Sequence, residues 1–127
     1  MFERVGVKDL TEGDLKKIIK ITSLHPFGYN ASDVMKAEML GLKQIWRFDK
    51  GLLITMISSH PGGKELLVWG LAGRGVFKPG FKEACWELAR KLNCRWISAG
   101  TTGAPQARLY AMKLGIKPRG VCFFEEV

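Results

Sequence analysis

Residues 64–92 read KELLVWGLAGRGVFKPGFKEACWELARKL and decide the fold, because a strand pattern runs there into a glycine-rich turn that opens a helix. The apolar positions from Leu66 to Leu71 are nearly continuous, which is typical of a strand that is buried on both faces. Three glycines interrupt this run: Gly70, Gly73 and Gly75. From Phe81 to Leu92 the apolar residues recur at helical spacing. The stretch therefore predicts a strand, a turn and a helix with one face against a sheet.

The glycine-rich turn has two interpretations. Without side chains, Gly73 and Gly75 let a ligand approach the main chain, and the free N–H groups of a helix start attract an anion such as a phosphate. Arg74, between them, would add a charged donor. Tight turns also need glycine when they bind nothing. Both readings, an anion-binding turn and a plain turn, stay open on the sequence.

Length and composition indicate one globular domain over residues 1–127, with 46% apolar and 25% charged residues. No apolar run is long enough for a membrane span, and the polar N-terminal stretch does not resemble a signal peptide. We therefore expect a cytoplasmic protein that does not use a membrane. The cysteines, Cys85, Cys94 and Cys122, match no metal or redox motif, so we expect reduced thiols and no metal site.

The formal net charge of +8 is unevenly distributed. Between Lys64 and Arg119 eleven lysines and arginines stand against three glutamates, whereas the last two acidic residues lie in the C-terminal tail. The positive surplus thus surrounds the candidate turn. It fits a phosphorylated cofactor, a nucleic acid or solubility alone.

The remaining elements follow from the same patterns. We expect a strand at 2–7, a helix at 11–23 capped by Thr11 and Asp14, and a second helix from Asn30 or Ser32 to about Leu42. The residues expected to face inward are Leu15, Ile18, Ile19 and Thr22 in the first helix and Met35, Met39 and Leu42 in the second. A hairpin of strands at 45–48 and 52–58 then leads into the strand at 66.

After the helix at 81–92, we expect a strand at 95–99, a helix at 104–114 and a final strand at 121–127. A strand, a helix and a strand in succession predict parallel pairing between the fourth and fifth strands. The expected fold is mixed α/β, in the order β-α-α-β-β-β-α-β-α-β.

This order, with the glycine turn after the fourth strand and ARLYAMKLGI before the last strand, resembles the GNAT superfamily of acyl-CoA N-acyltransferases. The compact form is similar to GNAT-like proteins encoded by tailed phages, for which the location would be the host cytoplasm. The resemblance is carried by Gly73–Val76, Ala89–Arg90, Cys94–Ile97, Ala107, Leu114–Ile116 and Val121–Glu125.

The resemblance implies a cofactor, acetyl-CoA or another acyl-CoA. In the family, the fourth and fifth strands splay apart and the pantetheine arm lies in the gap. Carried over, Leu71 and Ala72 would offer main-chain groups to that arm, and Gly73, Arg74, Gly75 and Val76 would hold the pyrophosphate.

The resemblance also names catalytic positions. The family's Asn and general-acid Tyr positions fall on Ala104 and Ala111, so Tyr110, one residue earlier, is the candidate that protonates the CoA thiolate. Glu65 and Ser98 are the candidates for taking the proton of the attacking amine, with His60 and Ser58 as further options: all lie on or beside the central strands.

Two functions from different classes follow. The first is an acyl-CoA-dependent N-acyltransferase that acts on an amine of a small molecule or protein, as a monomer or a homodimer. The second is a weakly active or inactive phage GNAT-fold protein with a morphogenetic or nucleic-acid-directed role. Its phosphate contacts would come from a basic face made of Arg90, Lys91, Arg95, Arg108, Lys113, Lys117 and Arg119.

Overall fold

The computed structural model describes residues 2–25, 27–74 and 78–99, with only the main chain at position 74. Its elements are β1 (Glu3–Arg4), a 3₁₀ turn (Val7–Asp9), α1 (Glu12–Ser23), α2 (Ala31–Met39), β2 (Gln44–Phe48), β3 (Lys50–His60), β4 (Gly63–Arg74), α3 (Phe81–Lys91) and β5 (Cys94–Ala99). The expected helix at 104–114 and strand at 121–127 lie outside these residues.

One sheet carries all five strands in the order β1-β2-β3-β4-β5. The pairs from β1 to β4 are antiparallel, and β4 pairs with β5 in parallel. The mixed α/β fold and the parallel pairing of β4 with β5 are therefore confirmed.

The sheet has a core on each face. On one face α3 contributes Phe81, Cys85 and Leu88, which pack on Trp46 and Leu66 of the sheet. On the other face α1 and α2 cover a second cluster, whose buried members are Val5, Ile18, Ile21, Val34, Ile45, Leu52, Ile54 and Ala72. The crossover from β4 to β5 places α3 on one face, and α1 with α2 covers the other face, so the sheet is buried on both sides.

Helix α1 begins as predicted. Thr11 accepts from the Asp14 main chain at 3.1 Å, and Asp14 accepts from the Thr11 N–H at 3.0 Å. Its inward face differs from the prediction, because Ile21 is buried whereas Ile19 is 56% exposed. The buried stripe is made of Asp14, Ile18, Ile21 and Thr22, and Ile19 lies outside it, about 100° around the helix from Ile18.

Helix α2 is shorter than predicted and faces the core through another residue. It is capped by Asn30 and ends at Met39, since Gly41 has a φ of 74° and turns the chain out of the helix. Val34 is the buried residue, while Met39 and Leu42, which were expected to face inward, are 65% and 59% exposed. The inward assignment was wrong because Leu42 lies beyond the end of the helix, and Met39, five positions after Val34, lies about 140° around the helix from the buried face.

Strands β1 and β4 differ from expectation in length. The strand expected at 2–7 is reduced to Glu3–Arg4, because Val7–Asp9 form a 3₁₀ turn. In contrast, β4 continues through Gly70 and Gly73, which the sequence pattern had placed in breaks. Leu66 and Ala72 are its buried residues, while those at 67–71 are partly exposed.

Both glycines are explained by close packing. A Cβ at Gly70 would overlap Cγ2 of Ile21 in α1, so glycine lets the helix approach the sheet. Gly73 has a φ of 102°, and a Cβ there would lie 2.6 Å from the Cα of Gly51 and overlap the Lys50 carbonyl. Gly70 therefore serves the contact between α1 and the sheet, and Gly73 serves the ladder between β3 and β4.

None of the helices in the described part of the chain is long and apolar enough to cross a membrane.

Candidate functional site

The candidate site lies along β4 beyond its described pairing with β5. The register of the two strands runs from Lys64 with Cys94 to Val68 with Ala99, the last described residue of β5. β4 continues to Arg74, and among the described strands this segment has a neighbour only on the β3 side. We call the other edge of this segment, from Trp69 to Arg74, the slot.

A β-bulge marks the start of this slot. Against β3, Val68 lies opposite Thr55 and Gly70 lies opposite Ile54, which leaves Trp69 as the extra residue. Bulges re-aim side chains and often lie beside functional sites. Here Trp69 packs against the cluster on the α1 and α2 face.

The predicted cofactor residues fall in two places. Leu71 and Ala72 lie in the segment of β4 beyond β5, as the prediction for the pantetheine arm requires. Gly73 and Arg74 are the last residues of β4 and pair with Gly51 and Lys50, so they lie in the ladder and not in a turn. Gly75 and Val76 are outside the described residues, and the pyrophosphate assignment stays a prediction.

The helix that follows offers main-chain donors at its start, as expected from the sequence. Gly80 is the N-cap of α3, with a φ of 90° and no side-chain cap. By helix geometry, the N–H groups of Lys82 and Glu83 then lack an intrahelical acceptor. In the sequence, the start of this helix is indicated by Pro79-Gly80, which directly precede the apolar residues at helical spacing from Phe81 onward. Lys78, just upstream, forms an ion pair with Asp49.

Two of the predicted catalytic residues are brought together at the other end of β4. Ser98 Oγ donates to Glu65 Oε2 at 2.8 Å, and His60 Nε2 lies 3.2 Å from Glu65 Oε1. The hydrogen bonds from Ser98 and His60 lower the pKa of Glu65. Glu65 precedes the bulge residue Trp69 by four positions, which corresponds to about 13 Å along a strand. Tyr110 lies outside the described residues.

An aromatic cluster beside the bulge was not predicted as a unit. The ring of His25 stacks on Trp69, with centroids 4.8 Å apart and planes inclined by 17°. Tyr29 meets both rings edge-on, at 4.8 Å from His25 and 5.2 Å from Trp69. Lys43 Nζ lies 4.7 Å from the Trp69 centroid and 5.5 Å from that of Tyr29. The aromatic loop at 25–30 was the sequence signal.

Electrostatics in this cluster follow from its burial. Desolvation, followed by the nearby charge of Lys43, lowers the pKa of His25. Desolvation also lowers the pKa of Lys43. Both shifts indicate that the charged forms lack compensating anions here.

The basic face is described only in part. Arg90 and Lys91 lie in the last turn of α3, and Arg95 on β5 donates to the Gly62 carbonyl at 3.1 Å. The other four residues lie outside the described ranges, so the nucleic-acid-directed role and the phage-type assignment stay predictions.

Comparison with known proteins adds the fold class. No protein-family model and no curated protein matches the sequence. Among solved structures, a ribosomal-protein-alanine N-acetyltransferase from Brucella melitensis biovar Abortus 2308 has a TM-score of 0.70 at 10% identity, covering 100% of this chain and 99% of that one. An aminoglycoside 6'-N-acetyltransferase from Acinetobacter haemolyticus has a TM-score of 0.60 at 12% identity, covering 100% and 98%.

A third neighbour, a probable acetyltransferase, has a TM-score of 0.68 at 8% identity, covering 100% of this chain and 97% of that one. These likenesses cover the whole of this chain and 97–99% of the compared chains. The protein therefore has the GNAT acetyltransferase fold, as the sequence resemblance implied.

Proposed function

We propose that the protein is an acyl-CoA-dependent N-acyltransferase that uses acetyl-CoA or a related thioester. The slot along β4 receives the pantetheine arm, with Leu71 and Ala72 presenting main-chain groups to it. The acceptor amine approaches from the face that carries α1 and α2. The pyrophosphate lies near the start of α3, where free N–H groups and the positive helix end favour an anion.

The reaction is a direct transfer. The amine nitrogen attacks the thioester carbonyl, the N–C bond forms, and the C–S bond breaks as CoA leaves as a thiolate. Main-chain N–H groups of β4 near the bulge polarise the carbonyl. One proton leaves the amine, toward Glu65, and one reaches the thiolate, from Tyr110. Because Glu65 is remote from the bulge along β4, a bound water relays the amine proton to it.

One observation carries this proposal: β4 pairs in parallel with β5, and a β-bulge at Trp69 directly follows the last described pair, Val68 with Ala99. Bulges re-aim side chains and often lie beside functional sites. The solved acetyltransferases with the same fold support the same assignment.

Calorimetry with acetyl-CoA tests the proposal. The wild-type protein should bind acetyl-CoA with a Kd on the order of 10 µM, since catalysis needs occupancy at cellular cofactor levels. Ala99→Trp, which places an indole at the mouth of the slot, should weaken binding at least about tenfold. Lys91→Trp adds the same ring at an exposed site on α3 and should leave binding unchanged.

Binding should be followed by transfer. Free thiol release from acetyl-CoA, measured with a panel of primary amines, should exceed the release without protein. If the wild type binds no acetyl-CoA at roughly 1 mM, the acyltransferase assignment is wrong. If Ala99→Trp binds as well as the wild type, the cofactor does not use the slot.

A further inference from the structure

We propose that Lys43 is the anion-binding residue of the acceptor site, and that the acceptor is a small amine that also carries a carboxylate. This inference rests on the proposed acyltransferase function and names the substrate class of the same site.

Lys43 is a buried charge without a counter-charge. The residue is only 6% exposed, directly before β2, and the hydrogen-bond acceptor for its Nζ is the thioether of Met56 at 3.4 Å. No carboxylate in residues 2–25, 27–74 or 78–99 forms an ion pair with it. Sulfur is a weak acceptor, and an unpaired buried ammonium destabilises a fold. We therefore expect an anion from outside the described chain segments to bind the Lys43 ammonium.

The surrounding rings position this ammonium but do not neutralise it. Its Nζ lies over Trp69 and Tyr29, within the distance at which ring faces attract cations. His25, which stacks on Trp69, adds no negative charge. A cation–π contact fixes where the ammonium points and leaves its unit charge in place. The cluster thus presents one oriented positive charge.

The location connects this charge to the transfer reaction. Trp69 is the bulge residue at the opening of the slot, so a ligand beside its ring lies next to the proposed thioester position. Lys43 Nζ lies 4.7 Å from the centroid of the same ring. A ligand that places a carboxylate at Lys43 can therefore place its amine beside Trp69, on β4.

The charge balance favours an acceptor of this kind. A simple cationic amine would be repelled by Lys43, because like charges at short range disfavour one another. A carboxylate on the same molecule reverses this, and a charge-assisted hydrogen bond to Lys43 adds affinity. An amino acid is the simplest molecule with both groups.

Binding tests this with two compounds that differ only in the carboxylate. Phenylalanine and 2-phenylethylamine are titrated calorimetrically into the wild type without acetyl-CoA. The wild type should prefer phenylalanine by about tenfold, the ratio that one charge-assisted hydrogen bond supplies. Lys43→Met should lose this preference and Lys43→Arg should retain most of it. Lys20→Met, at an exposed lysine of α1, is the matched control and should behave as the wild type.

Thermal stability supplies a second readout. Lys43→Met keeps the side-chain length, removes the uncompensated charge and should raise Tm, as expected for a residue kept for function. Phenylalanine should raise the Tm of the wild type and not that of Lys43→Met. A lowered Tm for Lys43→Met, together with unchanged ligand preference, would show that Lys43 only supports the fold.

The outcomes separate this inference from the proposed function. A carboxylate preference that depends on Lys43, without thiol release from acetyl-CoA, keeps the anion site and rejects acyl transfer. Thiol release with both compounds at equal efficiency keeps acyl transfer and rejects the anion site. Equal binding of both compounds, or binding of neither, also overturns the role of Lys43.

Discussion

The Asp14 carboxylate accepts a 2.5 Å hydrogen bond from Nη2 of Arg47, which ties the first turn of α1 to β2. Asp14 is 4% exposed and also closes the capping box with Thr11. Asp33 closes the same box in α2 with Asn30, yet it is exposed and pairs with no arginine of the described chain. A comparison of Asp14 with Asp33 therefore separates the contribution of the ion pair to stability from that of the helix cap.

Asp14→Ala should lower the free energy of unfolding by about 2 kcal/mol, because it removes both the helix cap and the charge-assisted hydrogen bond with Arg47, which keeps Glu3 at 3.5 Å as a partner. Asp33→Ala should cost about 1 kcal/mol, the value of a cap alone. Urea denaturation of both variants measures the difference. Equal losses would mean that the contact with Arg47 contributes nothing.

The same pair predicts an acid limit to stability. Burial acts to raise the pKa of Asp14, but the hydrogen bonds from Arg47 and Thr11 outweigh it and the net pKa is lowered. A lowered folded-state pKa means stability that is present above the unfolded value of 3.8 and is lost as the pH falls through the folded value. Between pH 4 and pH 2, roughly, the wild type should lose more stability than Asp14→Ala. Parallel losses would contradict this assignment.

Gly70 should not accept a methyl group. Its Cβ would overlap Ile21, which is buried and β-branched and therefore cannot change rotamer freely. Gly70→Ala should destabilise the protein by about 2 kcal/mol. Gly13→Ala, in the first turn of α1 with no contact closer than 3.7 Å, should be neutral or stabilising.

A double variant tests the stated contact. Ile21→Ala alone removes a buried side chain and should cost about 3 kcal/mol. In the presence of Ile21→Ala, the Gly70→Ala methyl enters the vacated space, so the double variant should be more stable than the sum of the two losses predicts. If denaturant melts show that the two stability losses simply add, the destabilisation by Gly70→Ala does not arise from the contact with Ile21.

The sequence predicted correctly those features that depend on residues close together in the chain. The starts of α1 and α2 were found because a capping box is formed by residues three positions apart. The inward face of α2 was missed, since the packing of α2 against α1 and the sheet turns Val34, and not Met39, toward the core. The length of β4 was missed because the reasons for its glycines, Ile21 and Lys50, lie far away in sequence.

The candidate site shows the same contrast between features encoded by neighbouring residues and contacts between distant ones. The resemblance identified β4 and its neighbour, and the structure confirms that the two strands pair in parallel. The contact between Glu65 and Ser98 spans 33 residues and depends on that register, which no local pattern encodes. The stacking of His25 on Trp69 needs the loop after α1 to dock on a bulge, and a bulge has no reliable sequence signal.

Thr55 is a buried hydroxyl on which two partners depend. Its Oγ1 accepts from Trp46 Nε1 at 3.0 Å and donates to Gln44 Oε1 at 2.8 Å. Thr55→Val preserves the shape but leaves both partners unsatisfied, which should cost about 2 kcal/mol. Thr55→Ser keeps the hydroxyl and should cost about 1 kcal/mol for the lost methyl. A lower Tm for Thr55→Ser than for Thr55→Val would contradict this account.

Cys85 should be inert in the folded protein. Burial raises the pKa of its thiol to about 12, so at pH 8 only about one molecule in ten thousand carries the reactive thiolate. In a Cys94→Ala, Cys122→Ser background, Ellman's reagent should not modify Cys85 within an hour under native conditions. It should react at once in guanidinium chloride. Rapid native labelling would show that α3 opens readily.

We expect Glu65 to act as the general base of the transfer reaction. Glu65→Gln should lower kcat about 100-fold and leave the affinity for acetyl-CoA unchanged, since the carboxylate handles a proton and not the cofactor. Glu87→Gln, at an exposed position of α3, is the matched control. Full activity in Glu65→Gln would assign Glu65 to the structure of the β3–β4 hairpin alone.

The pH profile distinguishes a base from a structural residue. The hydrogen bond from Ser98 is the leading cause of the lowered pKa of Glu65, so the acid limb of kcat should lie below the ordinary glutamate value of 4.5. Ser98→Ala removes that donor and should move the acid limb to higher pH, because the carboxylate is then less stabilised. Ser58→Ala, on the strand at the other side of Glu65 and without a hydrogen bond to it in the described residues, should leave the limb in place. A limb that moves in neither variant would show that another group takes the proton of the amine.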